Sequence, residues 1–424
     1  MTGSTLRDSC AFCGGRALEQ IIDFGDVALA GAFVKPEQFD AEPRYRLRVF
    51  FCVRCYALQL LDVVDPATLF ANYFYFSSAI RSLQEHFLDY ASEMVARFLK
   101  PPNATVMEIG CNDGILLKPL ADHGVRTVIG VDPATNIVRT IADPRINVVN
   151  DYFGSAVAAR VRSEYGPADL VIANNVYAHI PDINDVTRGV ADLLGDDGVF
   201  VFEVHHLGSV LHGLQYDMIY HEHLYYYSLL ALENHLHRHG MIVFDLKRIP
   251  IHGGSIRYYA CRTGSRWARA ATNRVQMLRQ DETRQGLDRV ETFQRFAAEI
   301  EQRKRSLMAF LERLRKAGKR VAGYGASGRA NTIIQYCGIS RTHMEYMIDD
   351  APAKWGYYTP GAHFDIRSRD ALKTAMPDYL VVFAWGYLNE IAEKCKQYLD
   401  AGGRFLTPLP EVRLISHVND ASPL

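Results

Sequence analysis

Four stretches of this sequence hold residue types that could do chemistry. The densest is Asp217–Ser228, where Tyr220, His221, Glu222 and His223 are followed by Tyr225, Tyr226 and Tyr227. His221-Glu222 does not open an HExxH zinc motif, because position 225 is Tyr. Two histidines and a glutamate still allow a metal site, and a buried structural histidine pair is the plain alternative. A general base backed by a carboxylate and phenols uses the whole set. Imidazole titrates near neutral pH, which suits it to lifting a proton from an activated C–H.

The second stretch is Glu108-Ile109-Gly110-Cys111-Asn112-Asp113-Gly114, which follows a strand-like run. Asp132 closes the next strand-like run, where a carboxylate suits the two hydroxyls of a ribose. A pyrophosphate needs the close backbone approach of GxGxxG. Here Asn112 replaces the second glycine, and Asp113 adds a negative charge. An acidic loop repels pyrophosphate and suits a cofactor with an ammonium and a sulfonium, so the expectation is S-adenosylmethionine. Asp151 and Phe153, after the third strand, are candidates to hold adenine. Asn174 and Asn175 after the fourth are candidates for the methionine end.

The third stretch, Gly323-Tyr324-Gly325-Ala326-Ser327-Gly328, is a literal GxGxxG, with Asp349 about 20 residues beyond it. It fits NAD, the pyrophosphate of a sugar nucleotide, or only a tight strand-to-helix turn. The fourth is Cys10-x-x-Cys13 with Cys52-x-x-Cys55. Each CxxC turn aims two thiolates at one point, and two turns complete a tetrahedron. Four sulfur ligands leave no open position, so the expected zinc is structural.

These stretches need elements to position them. Residues 66–100 read as helical, with Leu83, Phe87, Tyr90, Met94 and Phe98 on one face. Short apolar strands are expected at Thr105–Ile109, Thr127–Val131, Ile146–Val149, Leu170–Ala173 and Val199–Val204, alternating with helices. Residues 264–317 read as charged connecting helices. A second alternation follows: a strand at Arg320–Tyr324, a helix at Ala330–Tyr336, and strands at Met344–Ile348 and Tyr379–Ala384. The expected fold class is α/β. It comprises a four-cysteine zinc-binding domain (residues 1–68), a central Rossmann-like domain (69–250) whose Glu108–Gly114 loop resembles that of class I methyltransferases, and a second Rossmann-like domain with a helical connector (251–424).

Bulk properties narrow the partners. The chain has 424 residues and a formal net charge of -1, so it has no basic excess to hold nucleic acid. No apolar run approaches the ~20 residues of a membrane helix. The start, Met1 to Asp8, has no apolar signal segment, so the expectation is a soluble, cytoplasmic protein without membrane partners. Monomer and homodimer are both compatible with the sequence.

Together these motifs resemble the sugar C-methyltransferases that act on nucleotide-linked 4-keto deoxysugars in antibiotic and surface-glycan pathways. The likeness covers most of the chain. It rests on the paired cysteines, Tyr73-x-Tyr75-x-Ser77-Ser78, the Glu108–Gly114 loop, and Asn174-Asn175-x-x-x-His179-Ile180-Pro181. It also includes Tyr220-x-Glu222-His223, His252-Gly253-Gly254-Ser255-Ile256-Arg257 and the Gly323–Gly328 loop. The resemblance implies methyl transfer from S-adenosylmethionine to a carbon beside a ketone. It puts the base on His223, with Tyr220, Glu222, His179 and Tyr75 around the sugar. It gives the nucleotide end to the C-terminal domain, with Gly323, Gly325, Ser327, Gly328, His252 and Arg257 as candidate contacts. One departure is Ala28–Phe33, where many members carry a Pro-Leu-Ala-Asn-like segment. The competing expectations are an NAD-dependent sugar-nucleotide oxidoreductase, an O- or N-methyltransferase of small molecules, and a non-enzymatic zinc module.

Overall fold

The computed structural model describes residues 3–70, 76–79 and 81–420. Tyr73 and Tyr75 lie outside the described residues. Among those described, no helix is long and apolar enough to cross a membrane.

The centre of the molecule is a seven-stranded sheet. Its strands are β1 (Thr105–Ile109), β2 (Thr127–Val131), β3 (Ile146–Val149), β4 (Ala168–Asn174), β5 (Leu194–His205), β6 (Met241–Ile249) and β7 (Ser255–Arg262). They lie side by side as β3-β2-β1-β4-β5-β7-β6. The first five are parallel, and β7 runs antiparallel to both its neighbours. Side chains alternate across such a sheet. Val106, Val128, Leu170 and Val201 face one apolar cluster, while Met107, Ile129, Val171 and Phe202 face another. Both faces are covered, which is why the parallel strands read as continuous apolar runs.

The expected domain boundary at 250/251 falls between two paired strands. β7 bonds to β5 and β6 along its whole length, so the central sheet continues to Arg262. Pro250–Gly254 forms the turn of this hairpin. Gly253 and Gly254 supply its positive φ angles of 85° and 113°.

The N-terminal unit is an antiparallel sheet of Leu18–Ala28, Arg44–Cys52 and Leu58–Leu60. Tyr225–Tyr226, from the central segment, adds a further strand at its edge. After the helices Asn273–Gln285 and Val290–Lys316 comes the third unit. Its strands are β8 (Val321–Tyr324), β9 (Met347–Ile348), β10 (Ile366–Arg367), β11 (Tyr379–Val382), β12 (Arg404–Thr407) and β13 (Arg413–Ile415), in the order β10-β9-β8-β11-β12-β13. All pairs are parallel except β12 with β13. One apolar cluster runs through all three units, from Phe24 and Leu47 through Phe202 to Val381 and Leu406.

Candidate active site

Open α/β sheets bind ligands beyond the carboxyl ends of their strands, where the strand order reverses. In the central sheet that point lies between β1 and β4, and the loops after them form a cradle. Gly110 turns the chain out of β1 with φ of 68°, and a Cβ there would meet Val176 at 2.7 Å. Asp132 is 8% exposed and is held edge-on: Asn112 N donates to Oδ2 at 3.0 Å, and Ala134 N to Oδ1 at 2.8 Å. Burial pushes its carboxyl up, while these two donors pull it back. Glu108 is buried in the middle of an apolar strand, with Asn174 Nδ2 donating to Oε1 at 3.2 Å. Burial pushes its pKa well above the usual carboxylate range, and the charges of Asp132 and Asp113 add to this.

Among the described residues, Glu108 Oε2, Asp113 Oδ1, Asn174 Oδ1 and Asn175 Oδ1 are buried oxygens without a hydrogen-bond partner. A set of orphaned acceptors fits a cationic, donor-rich ligand, and so fits S-adenosylmethionine. Ser77 and Ser78 close onto the loop, donating their N–H groups to Asn112 Oδ1 and Asp113 Oδ2 at 3.0 Å each. Near the expected adenine end, Asp151 accepts from Tyr152 N and pairs with Arg160 at 3.4 Å, while Phe153 is buried in the apolar core.

Beside the cradle, the chain leaving β4 and β5 gathers three histidine rings. His223 lies 5.1 Å from His179, 5.7 Å from His205 and 4.0 Å from Tyr220, between ring centroids. His223 Nδ1 donates to the Met218 carbonyl at 2.7 Å. That bond fixes the neutral tautomer and leaves Nε2 as the basic nitrogen. Burial lowers the His179 pKa to about 4. Burial also drives the Tyr220 phenol well above its ordinary value, with the Glu222 charge adding to it.

The neighbours of His223 face elsewhere. His221 is tied to the N-terminal sheet, with Nε2 3.1 Å from the Arg46 carbonyl and its ring edge-on to Tyr45. Glu222 faces Gly31, where a Cβ would sit 3.1 Å from Oε1. The segment 28–33, singled out as a departure from the resembling family, packs against Glu222 through Gly31 and against Gly328 through Ala30.

The C-terminal loop meets the same place. Gly325 has φ of 91°, and a Cβ there would press on Ala384 at 2.7 Å. Gly323 packs on Met347 with no room for a side chain. Ser327 caps the helix Gly328–Cys337 by accepting from Ala330 N. Gly328 lies against both Ala30 and the Tyr220 ring, at 3.7 Å each from a Cβ position. Asp349 accepts from Ala351 N and from Lys354, whose ammonium also donates to the Ala326 carbonyl at 2.7 Å. His252 lies in the turn between β6 and β7, and its side chain is outside the described set.

Arg257, a candidate substrate contact, is committed to carboxylates of the central domain. It sits inside the central domain, 2% exposed, with Nε 2.6 Å from Glu203 and Nη1 3.0 Å from Glu93. Its guanidinium stacks 3.3 Å above the Tyr90 ring. The motif that suggested a contact spans the hairpin turn and the start of β7, and the arginine balances buried carboxylates.

Away from the cleft, Cys10, Cys13, Cys52 and Cys55 are all buried, with sulfurs within 4.8 Å of one another. Cys10 lies 3.5 Å from Cys55, and Cys13 lies 3.7 Å from Cys52. Four sulfurs ~2.3 Å from one zinc lie roughly 3.8 Å apart along the tetrahedron's edges, so the set fits. Gln59 Nε2 donates to Cys10 Sγ at 3.0 Å, and Gly15 N to Cys13 Sγ at 3.4 Å, as outer partners of thiolate ligands do.

Sheet order, cradle and cysteine cluster together define a class I S-adenosylmethionine-dependent methyltransferase with a structural zinc domain. Three family descriptions match the chain: a zinc binding domain over residues 10–70, a methyltransferase domain over 83–244, and a C-methyltransferase C-terminal domain over 250–410. The chain is 33% identical to C-methyltransferase NovU of Streptomyces niveus, over 96% of this chain and 97% of that one. It therefore belongs to the C-methyltransferase family of which NovU is a member. A ubiquinone biosynthesis O-methyltransferase of Bartonella tribocorum is 28% identical over 34% of this chain and 62% of that one. The solved structure of a magnesium protoporphyrin IX methyltransferase from Synechocystis PCC 6803 with bound SAM aligns over 42% of this chain and 79% of that one. Its identity is 17% and its TM-score 0.32.

Proposed function

We propose that this chain methylates a carbon beside the ketone of a nucleotide-linked 4-keto deoxysugar, with His223 as the base. One observation carries the reading. The His223 ring, its Nδ1 bonded to Met218, packs at a tilt against Tyr220, whose ring lies 3.7 Å from where a Cβ on Gly328 of the C-terminal loop would sit. A base at the mouth of the methyl-donor cradle thus adjoins a second ligand-binding crevice. Lys354 and the Gly323–Gly328 loop suit the phosphates of the sugar nucleotide there.

The ketone acidifies the neighbouring C–H, and His223 Nε2 takes that proton, leaving an enolate. Tyr220, protonated at working pH, is a donor for the enolate oxygen. His179, neutral down to about pH 4, is a second. Bound S-adenosylmethionine supplies the electrophilic methyl. Holding both partners at attack distance gives much of the acceleration. His221 is disfavoured as the base because its ring faces the Arg46 carbonyl and Tyr45 of the N-terminal sheet, whereas His223 faces Tyr220 and His179.

Proton removal can be followed apart from methylation. With S-adenosylhomocysteine bound and a 4-keto sugar nucleotide in D₂O, wild type is expected to exchange deuterium at the carbon beside the ketone. His223→Ala should lose ~10²–10⁴ of that rate with cofactor affinity unchanged. Exchange at the wild-type rate in the variant would remove His223 from the role. An O- or N-methyltransferase would show no such exchange in either protein.

A further inference from the structure

Asp217 is the one charged residue between Tyr216 and Tyr220, and its side chain is fully buried. A buried carboxylate persists only with donors around it. Here they come from another domain. Arg329 grips it with two parallel bonds, Nε to Oδ2 at 2.8 Å and Nη2 to Oδ1 at 3.0 Å. Trp385 Nε1 donates to Oδ2 at 3.0 Å. The Arg329 guanidinium also lies 5.0 Å from the Trp385 ring centre.

The position of these partners is informative. Arg329 is the second residue of the helix that follows the glycine loop, and Trp385 follows β11 next to Ala384, which packs on Gly325. β8 and β11 are adjacent, and the chain leaves β8 toward β9 but leaves β11 toward β12. The strand order therefore reverses between them, and Asp217 is docked at the switch point of the C-terminal sheet, where such folds bind ligands. Its neighbour Met218 supplies the carbonyl that orients His223. The path from crevice to base is one residue long: Arg329 and Trp385 hold Asp217, and Met218 then holds the imidazole.

We infer that Asp217 is a positioning residue that sets the base from the C-terminal domain, so that a crevice suited to the sugar nucleotide and the proton-abstracting ring are held in one register. The inference rests on the reading of His223 as the base. Asp217 does not touch the substrate. It works by fixing the short helical turn Tyr216–Met218, and with it the tautomer and direction of His223.

The test compares Asp217→Asn, Arg329→Lys and His223→Ala in the full zinc-loaded chain, using deuterium exchange and methyl transfer. Asp217→Asn keeps the shape but loses the charge that holds the guanidinium. It is expected to lower kcat and the exchange rate by roughly 10–100-fold, as displacements of about 1 Å do. S-adenosylhomocysteine binding should keep full stoichiometry and affinity, and the sugar-nucleotide KM should stay within about threefold. Arg329→Lys keeps the charge but not the two-pronged grip, so a smaller fall in kcat is expected. It also serves as the test if Asp217→Asn does not fold. A merely structural role would instead lower the cofactor-binding fraction together with the rate, leaving kcat per bound site unchanged, and that result overturns the inference. So does wild-type kcat in Asp217→Asn or, should that variant not fold, in Arg329→Lys, while His223→Ala abolishes exchange. If His223→Ala itself exchanges normally, the base assignment fails first and this inference falls with it.

Discussion

Arg257→Ala is expected to destabilise the central domain by about 3–5 kcal/mol, the cost of removing one partner from a buried ion pair. The magnitude follows from what the variant leaves behind. Glu203 is fully buried and, among the described residues, keeps His86 at 2.9 Å in place of the close Arg257 bond. Glu93 is less affected, because Arg97 and Lys247 still pair with it at 3.1 and 2.7 Å. Tyr90 loses the cation stacked on its ring. For a domain of this size the loss corresponds to a fall of roughly 6–20 °C in the melting temperature, read by thermal scanning at pH 7. The effect should depend on pH. Burial raises the Glu203 pKa, but His86 and Arg257 outweigh it and hold the carboxyl below its ordinary 4.5. A depressed folded-state pKa stabilises above the unfolded value, and that stability is lost as pH falls through the folded one. The variant lacks part of the depression, so its deficit should be greatest at neutral pH and narrow below about pH 4. The sugar-nucleotide KM should change little. A variant with wild-type melting temperature and a raised KM would refute the ion-pair assignment and return Arg257 to the substrate.

Native protein is expected to contain one zinc per chain by elemental analysis, and Cys52→Ser to lose it, with the N-terminal sheet melting at lower temperature. Zinc-free native protein would reject the site. Asp132→Ala should weaken S-adenosylmethionine binding by ~1.5–3 kcal/mol, or roughly 10–150-fold in Kd by calorimetry, and unchanged affinity would rule the residue out as a ligand. His235 is fully buried, and burial lowers its pKa to about 3 from 6.5. The unfolded chain then binds a proton that the folded chain refuses, so stability should fall as pH drops from about 6.5 toward 3. His235→Gln should flatten that slope in denaturant titrations, and an equally steep slope would mean that other groups set it.

The parallel strands were legible because both their faces are apolar. Thr105–Ile109, Thr127–Val131 and Ile146–Val149 occur where their apolar runs fall. The cysteine pairs were equally plain, since a CxxC turn is local chemistry. What the sequence hides are partners far away along the chain. Arg257 finds Glu203 54 residues upstream and Glu93 164 residues upstream, and Asp217 finds Arg329 112 residues downstream. Nothing near either residue announces its counter-charge. The choice between His221 and His223 is hidden for a different reason. On a strand, residues two apart share a face, and the histidines would point together. Here His223 N bonds back to the Tyr220 carbonyl, so the segment is a turn. In a turn, side-chain direction follows from what each side chain meets. His221 meets the Arg46 carbonyl on a strand of the zinc domain, whereas His223 meets the Met218 carbonyl and the rings of Tyr220 and His179. Two neighbouring histidines of equal intrinsic basicity are thus sorted by the domains that pack around them: one is spent joining the zinc domain to the core, and the other stands beside the methyl-donor cradle.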